Sequence, residues 1–167
     1  MFEHDHGKQK SMKIYESLYT RLKHQHKAIS EIIEPVSKGH IRLRPKPGKW
    51  SIHDNITHLA KYQPLFIERV NNILQLDKPV FERYSAENDP EFETWRLWET
   101  NELMKRLSAD RPIILKLITQ LSSEELDRVG IHRKFGELNI PGWTEFFLLH
   151  EAHHIYTIFQ LAHETEA

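Results

Sequence analysis

The chain has 167 residues, a length that predicts a single domain over 1–167 with a buried core. Its 23 Lys and Arg residues nearly balance 24 Asp and Glu residues, so the net charge of −1 gives no field to attract nucleic acid or an anionic membrane. The absence of cysteine excludes disulfides, thiolate metal sites and a cysteine nucleophile. The sequence lacks both a signal-peptide pattern at its start and an apolar run of about 18 residues, so we expect a cytoplasmic protein.

The first predicted helix covers 12–37, where apolar residues recur at helical spacing, and it follows a tail at 1–11 that we expect to be flexible. Gly39 is expected to end this helix. The stretch 40–49 contains two prolines, which cannot continue a helix, and it is therefore predicted to be a loop.

The second predicted helix covers 51–76. Ser51 can cap its first amides while Asp54, three residues later, completes a capping box. Pro64 lies inside this helix and is expected to kink it. Polar residues at 77–88 then predict a connection.

The third predicted helix opens at Asp89 and Pro90, a typical N-cap and first helical residue, and extends to 121 with a bend or break at Pro112. A second connection covers 122–142, in which 128–140 could form a short hairpin. The fourth helix is expected over 143–163. Four amphipathic helices and no other clear strand pattern predict an all-α fold, a four-helix bundle.

The fourth helix carries the most informative pattern in the chain. At about 100° per residue, one stripe of this helix holds His150 and His154 among apolar residues. The apolar members of the stripe are Trp143, Phe147, Ile158 and Leu161. Because His150 and His154 lie one turn apart, both imidazoles can reach one metal ion, and burying two adjacent imidazoles requires a shared partner or a metal. The pattern favours a metal site over two separately satisfied core histidines.

A metal site needs a third ligand, and His58 in the second helix is the best candidate because apolar residues flank it. Its helical angle places it toward one edge of the apolar arc. His153 lies about 70° from the stripe centre, and His163 points away from the stripe. The remaining histidines are expected to be solvated: His4, His6, His24, His26, His40, His53 and His132.

The segment from His150 to His154 also satisfies H-E-x-x-H, the helical signature of zinc proteases. In that chemistry Glu151 would be the general base and a third ligand would lie further along the chain. Only 13 residues follow His154, and 155–160 contain neither the glycine nor the histidine of the extended signature. A protease is therefore disfavoured, and Glu151 is expected on the flank of the helix.

Two segments together resemble a known family. Pro47-Gly48-Lys49-Trp50-Ser51-Ile52, followed by Asn55-Ile56-Thr57-His58-Leu59-Ala60, is similar to the second-helix signature of the DinB-like superfamily, which includes the YfiT-like proteins. His150-Glu151-Ala152-His153-His154 is similar to the closing motif of the same family. The resemblance extends over nearly the whole chain.

The resemblance implies up-down-down-up topology and a metal triad formed by His58, His150 and His154, with zinc or nickel as the usual metal. It also implies a thiol-dependent transferase that uses a low-molecular-weight thiol, or a metal-dependent hydrolase, acting on a small molecule. Thr157 stands where the family often has glutamine, which is a departure from its pattern.

A divalent metal held by three neutral imidazoles would keep its full positive charge and an open coordination position. A thiol bound there would become a nucleophile, whereas a water bound there would hydrolyse the substrate. The sequence does not choose between these two reactions. Tyr62, Glu151 and His153 are candidates for proton transfer or for hydrogen bonding beside the metal.

Three other interpretations stay open. The bundle could bind metal without catalysis, as a stress-response protein. The basic loop at 38–49 could contact nucleic acid, but it has no alternating aromatic residues and is better explained as solvated. A homodimer is implied by family analogy and fits exposed Trp95 or Trp98, although buried tryptophans would explain these residues equally well.

Overall fold

The computed structural model describes residues 14–164, and helices make up most of this part of the chain. The predicted tail at 1–11 lies outside the described residues, as do His4 and His6. The helices are α1 (Glu16–His24), α2 (Ala28–Ile33), α3 (Lys38–Arg42), α4 (Ile52–Gln75), α5 (Pro90–Arg96), α6 (Thr100–Gln120), α7 (Ser123–Leu126) and α8 (Ile140–His163). No helix within 14–164 is both long and apolar enough to cross a membrane.

The core consists of two buried clusters, and the order in which each helix crosses them gives its direction. The first cluster includes Leu18, Phe66, Ile118 and Phe147. The second cluster includes Ile29, Ile56, Leu107 and Ile158. The α1–α2 segment and α8 pass from the first cluster to the second, whereas α4 and α6 pass from the second to the first. The fold is therefore a four-helix bundle with up-down-down-up topology.

The first bundle segment is shorter than predicted, and it is interrupted. A 3-10 turn at Gln25–Lys27 separates α1 from α2, and because such a turn advances about 120° per residue, it rotates His26 into the core. Pro35, which lacks an amide hydrogen, follows the end of α2. Ser37 then caps α3, so Gly39 lies inside a helix instead of ending one. The predictions of a continuous helix over 12–37 and of a loop beginning at 40 were wrong on these points.

The second bundle helix, α4, confirms the predicted capping box. The hydroxyl of Ser51 accepts the amide of Asp54 at 3.0 Å, and the Asp54 carboxylate accepts the amide of Ser51 at 2.9 Å. The helix continues through Pro64 and ends at Gln75, one residue before the predicted end. This long, well-capped helix carries His58 in its first half.

The third predicted helix is divided at 97–99 instead of at Pro112. α5 begins at Pro90 as predicted, but it ends at Arg96, where tertiary contacts hold the chain. The Arg96 carbonyl oxygen lies 2.9 Å from Nε2 of His53, and the Arg96 guanidinium forms an ion pair with Asp54. α6 then runs through Pro112 without interruption. Local sequence does not encode this division because the contacts come from α4.

The two tryptophans of this region stack on each other, with ring centroids 4.8 Å apart. Trp95 is partly buried beneath the side chains of Lys61 and Arg106, while Trp98 is 37% exposed. The exposed edge of Trp98 is compatible with the predicted homodimer, which stays a prediction.

The predicted hairpin is confirmed: β2 (Val129–His132) pairs antiparallel with β3 (Gly136–Asn139). β1 (Val80–Phe81) adds a parallel strand that the sequence did not predict, because two residues are too few to show a periodicity. Gly130 is required in β2, since a Cβ atom there would lie 2.8 Å from the Phe81 ring. The sheet covers one end of the bundle.

The last helix, α8, begins at Ile140, three residues earlier than predicted. Asn139 caps it by accepting the amide of Gly142 at 2.9 Å, and Pro141 lies in its first turn. The earlier start joins α8 directly to β3, so the sheet fixes the position of the helix that carries His150 and His154.

Candidate metal centre

Three histidines from two helices meet inside the bundle. His58 of α4 lies opposite His150 and His154 of α8, and one ring nitrogen from each lies within 4.8 Å of the other two. Ring centroids are 4.9 Å apart for His58 and His150, 4.5 Å for His58 and His154, and 4.8 Å for His150 and His154. The structure thus brings together the three residues that the sequence selected as ligands.

Hydrogen bonds define the state of these rings. Nδ1 of His154 lies 2.7 Å from Oδ1 of Asn55, and because an amide oxygen only accepts, Nδ1 carries the hydrogen and the Nε2 lone pair is free. The Nε2 atoms of His58 and His150 lie 3.0 Å apart, so without a metal one must donate to the other. The Nδ1 atoms of His58 and His150 are buried and have no hydrogen-bond partner among residues 14–164.

Burial keeps all three imidazoles neutral. Desolvation, followed by the repulsion that protonation of His154 or His150 would add, lowers the pKa of His58 to about 2. The pKa of His150 falls to about 3 and that of His154 to about 4, again chiefly through burial. At neutral pH the site therefore presents uncharged nitrogen donors, the form in which imidazole binds metals.

Aromatic side chains form the walls around the histidines. The ring of Trp50 lies 5.2 Å from that of His58 and 5.9 Å from that of His154, and it stacks on Phe92 at 5.5 Å. Tyr84 also stacks on His58, with ring centroids 5.5 Å apart. Trp50 belongs to the motif that carried the family resemblance, but no sequence pattern predicted that its ring would contact histidines of both helices.

Tyr62, one of the predicted accessory residues, packs directly on the cluster. Its ring centroid lies 4.3 Å from that of His150, and its phenol oxygen accepts a hydrogen bond from Nη1 of Arg69 at 2.9 Å. Burial raises the pKa of the Tyr62 phenol, although the nearby Arg69 charge partly opposes this effect. Tyr62 is therefore neutral and retains a hydroxyl hydrogen beside His150.

A cavity of about 430 Å³ opens from the histidine cluster toward the sheet. Its lining includes the three clustered histidines together with Tyr62, Arg69, Arg83, Tyr84, His132, Phe146 and His153. This volume suits a small molecule, and the cavity provides a path from solvent to the candidate metal ligands.

Glu151 does not lie at this site, which corrects two expectations. It is 1% exposed, not on a flank, and its carboxylate forms a buried ion pair with Arg111 and accepts a hydrogen bond from Gln25 at 3.0 Å. Arg111 also donates to the Leu22 carbonyl oxygen and to Gln63. The H-E-x-x-H match therefore places its glutamate in the bundle core, where it cannot act as a general base on a bound molecule.

His153 lies at the rim of the site. It is exposed, lines the cavity, and its ring centroid lies 5.3 Å from that of His154. Thr157 donates to the His153 carbonyl oxygen at 3.1 Å, so this hydroxyl is used within α8 and does not support a ligand. Asn55 instead provides the hydrogen bond to His154, a role that the sequence did not predict.

Two histidines that we expected to be solvated are buried. His53 faces Thr100 and the Arg96 carbonyl oxygen at 2.9 Å each, so both of its ring nitrogens are satisfied. His26 lies in the core, where burial and the charge of Arg111 lower its pKa to about 4.

His40 and His132 are partly buried, contrary to the same expectation. Nε2 of His40 lies 2.8 Å from the Leu161 carbonyl oxygen, and Nδ1 of His132 accepts the amides of Lys134 and Phe135. Both fell in segments predicted as loops, where tertiary contacts determine exposure.

The basic residues at 38–49 are partly engaged inside the protein. Arg44 donates to the buried Asp54 carboxylate at 2.8 Å, and this contact lowers the pKa of Asp54 although burial opposes it. Arg42 forms an ion pair with Glu99. Intramolecular contacts thus account for two of the charges that could have suggested a nucleic-acid surface.

The residues present fit a transition metal. Neutral imidazole nitrogens suit zinc and nickel, and a cation bound by the Nε2 atoms of His58 and His150 would replace the N–H···N contact that joins them without a metal. Asn55 supplies the outer hydrogen bond that orients a metal-binding histidine. The three histidines alone form a three-ligand site, which leaves one coordination position open.

Fold and site together define the class: a four-helix-bundle protein with a three-histidine candidate metal centre. The sequence-family model of the DinB superfamily matches residues 21–158, and the chain belongs to that superfamily. This confirms the resemblance found in the sequence.

Individual relatives are distant. The Bacillus subtilis (strain 168) protein YuaE, which is uncharacterized, is 25% identical over 146 residues, covering 80% of this chain and 90% of YuaE. Among solved structures, YfiT from Bacillus subtilis superposes with a TM-score of 0.76 at 16% identity, covering 96% of this chain and 91% of YfiT. YfiT is described as a probable metal-dependent hydrolase with an unusual four-helix bundle topology. The DinB-like protein YjoA from Bacillus subtilis superposes with a TM-score of 0.56 at 20% identity, covering 90% and 94% of the two chains.

Proposed function

We propose that this protein is a metal-dependent enzyme that binds one divalent transition metal through His58, His150 and His154 and acts on a small molecule in the adjoining cavity. The observation that carries the proposal is the convergence of three neutral imidazoles at the wall of a cavity of about 430 Å³. Zinc or nickel fits the all-nitrogen donor set.

When bound, a metal held by three neutral ligands supplies Lewis-acid activation of a water or thiol in its open position. The protein's own residues prepare that position. Asn55 holds His154 in the tautomer with a free Nε2, and Trp50, which stacks on Phe92, packs against the His154 ring. The neutral phenol of Tyr62 can donate its hydrogen to a developing negative charge beside His150.

Two reactions fit this arrangement: transfer of a low-molecular-weight thiol to an electrophile, and hydrolysis. The family resemblance supports both, and the description of YfiT as a probable metal-dependent hydrolase supports the second. His153, exposed at the rim, can exchange protons with solvent in either reaction.

Metal analysis of protein purified without an affinity tag tests the binding step. We expect about one zinc or nickel ion per chain, and we expect His58→Ala, His150→Ala and His154→Ala each to lose most of it. His163→Ala is the matched control, because His163 is exposed on the same helix and, within the described part of the chain, its contacts are with Phe159. Protein without stoichiometric metal, or equal loss in the control, would overturn the proposal.

Activity assays on the metal-loaded protein then separate the alternatives. Turnover of an electrophile that depends on added thiol supports transfer, whereas turnover of an ester without thiol supports hydrolysis. Stoichiometric metal without activity across a panel of both substrate classes would favour the non-catalytic, metal-binding stress-response protein.

A further inference from the structure

The guanidinium of Arg69 is a buried positive charge at the wall of the cavity. Arg69 is 7% exposed and lines the same cavity as His58 and His150. Among residues 14–164, no carboxylate forms an ion pair with it. A buried charge without a counter-charge is costly, so its presence at a cavity requires an explanation.

Neutral groups satisfy only part of this side chain. Nη1 donates to the Tyr62 phenol at 2.9 Å and Nη2 donates to the Glu82 carbonyl oxygen at 2.8 Å. A guanidinium has five N–H groups, which leaves three without a hydrogen bond to the described residues. The rings of Tyr62, Phe81 and Trp143 each lie 5.7 Å from its central carbon and hold it in place.

The other charges at the cavity do not neutralise Arg69. Arg83 is exposed, lines the cavity, and forms no ion pair with a described residue. Glu82 lines the cavity, but its carboxylate pairs with Arg133, and the exposed Glu87 accepts a hydrogen bond from Ser85. The interior charge facing the cavity is therefore positive.

We propose that Arg69, assisted by Arg83, binds the carboxylate of a small-molecule substrate or co-substrate in this cavity. This assignment deepens the proposed function and rests on it for the identity of the reacting site. The guanidinium has free N–H groups in the planar arrangement that pairs with both oxygens of a carboxylate. The substrate would thus be anchored at one end by Arg69 and presented at the other to the histidine cluster.

The test uses benzoate and its uncharged analogue benzamide as probes, titrated calorimetrically into protein freed of metal with a chelator. We expect benzoate to bind at least roughly tenfold more tightly than benzamide, the size of effect that a charge-assisted hydrogen bond gives. Because no metal is present, this result does not depend on the metal-binding step. Equal binding of the two probes, or no binding of benzoate, would overturn the proposal.

Variants locate the effect. Arg69→Gln should reduce benzoate affinity roughly tenfold or more, and Arg83→Gln should reduce it severalfold. Arg106→Gln removes the same charge from an arginine that pairs with Asp110 away from the cavity, and it should leave the affinity unchanged. Should Arg69→Gln not fold, Arg69→Lys replaces it and should retain the charge but lose the paired geometry, with weaker benzoate binding. An effect of Arg106→Gln as large as that of the cavity variants would contradict the assignment.

Discussion

The amide oxygen of Asn55 accepts a hydrogen bond from Nδ1 of His154 at 2.7 Å, across the interface between α4 and α8. The bond fixes the tautomer of His154, a candidate ligand on α8, through a residue of α4. It therefore couples the packing of the two helices to the geometry of the three-histidine cluster.

Removing this acceptor should weaken metal binding. Asn55→Ala should lower zinc affinity by roughly 10- to 100-fold, because His154 loses the partner that orients its ring. The measurement is a competition titration against a chromophoric chelator.

Asn55→Asp is the matched control. It keeps an oxygen acceptor for His154 but removes the amide that donates to the Ser51 carbonyl oxygen at 2.8 Å. Affinity near that of the wild type in Asn55→Asp, with loss in Asn55→Ala, assigns the effect to the histidine bond. Equal loss in both variants would assign it to the cap of α4.

Removing only one partner of the buried ion pair between Arg111 and Glu151 should lower the free energy of unfolding strongly. Glu151→Leu leaves an uncompensated arginine in the core and should destabilise the protein by about 3–5 kcal/mol, measured by urea unfolding. The double variant Arg111→Met, Glu151→Leu should recover much of this loss, because both charges are absent. A double variant no more stable than the single one would contradict this explanation.

Glu151→Gln separates stability from chemistry. Because Glu151 does not line the cavity, the folded variant should keep its metal and any metal-dependent activity at a temperature well below its melting point. A specific loss of turnover with metal content unchanged would restore the zinc-protease role for this glutamate that the structure disfavours.

The buried histidine His26 should make the metal-free protein sensitive to acid. Burial, then the charge of Arg111, lowers its pKa in the folded state to about 4, against 6.5 for an exposed histidine. Between pH 6.5 and pH 4 the unfolded chain binds a proton that the folded chain does not, so stability falls as the pH falls.

Urea unfolding at pH 7 and pH 5 checks this expectation. His26→Leu should lose less stability over this interval than the wild type, whereas His24→Leu, at an exposed neighbouring position, should behave like the wild type. An unchanged pH dependence in His26→Leu would show that other histidines account for the effect.

Gly130 and Gly39 should respond oppositely to alanine. At Gly130 a Cβ atom would lie 2.8 Å from the Phe81 ring and 2.9 Å from Ile73, so Gly130→Ala should destabilise the protein by about 1–3 kcal/mol. At Gly39, inside α3, nothing lies within 4 Å, and Gly39→Ala should stabilise the protein by about 0.5–1 kcal/mol. Thermal unfolding of the two variants compares them, and destabilisation by Gly39→Ala would show that α3 is not helical there.

Features that depend on residues within one helix or one hairpin were predicted well from the sequence. The spacing of His150 and His154 on one stripe, the capping box of Ser51 and Asp54, and the short hairpin all depend on residues close in sequence. Helix ends were predicted less well, because Arg96 stops α5 through contacts with α4 and not through any local signal.

Burial of individual polar residues was the least predictable feature. Helical angle alone placed Glu151 on a flank, yet Arg111, 40 residues away in sequence, makes its burial possible. His26 was assigned to solvent because a regular helix was assumed where a 3-10 turn occurs.

The sequence by itself determined the helical composition, the four bundle segments and the pairing of His150 with His154, because periodicity and spacing are properties of short segments. His58 was selected as the third ligand by its apolar neighbours and by the family resemblance. Only the tertiary structure decided which polar groups face the cavity, which are paired in the core, and that no carboxylate among residues 14–164 pairs with Arg69. Those outcomes depend on distances between helices that are remote in sequence, since the cost of burying a charge is set by the partners that the complete fold provides.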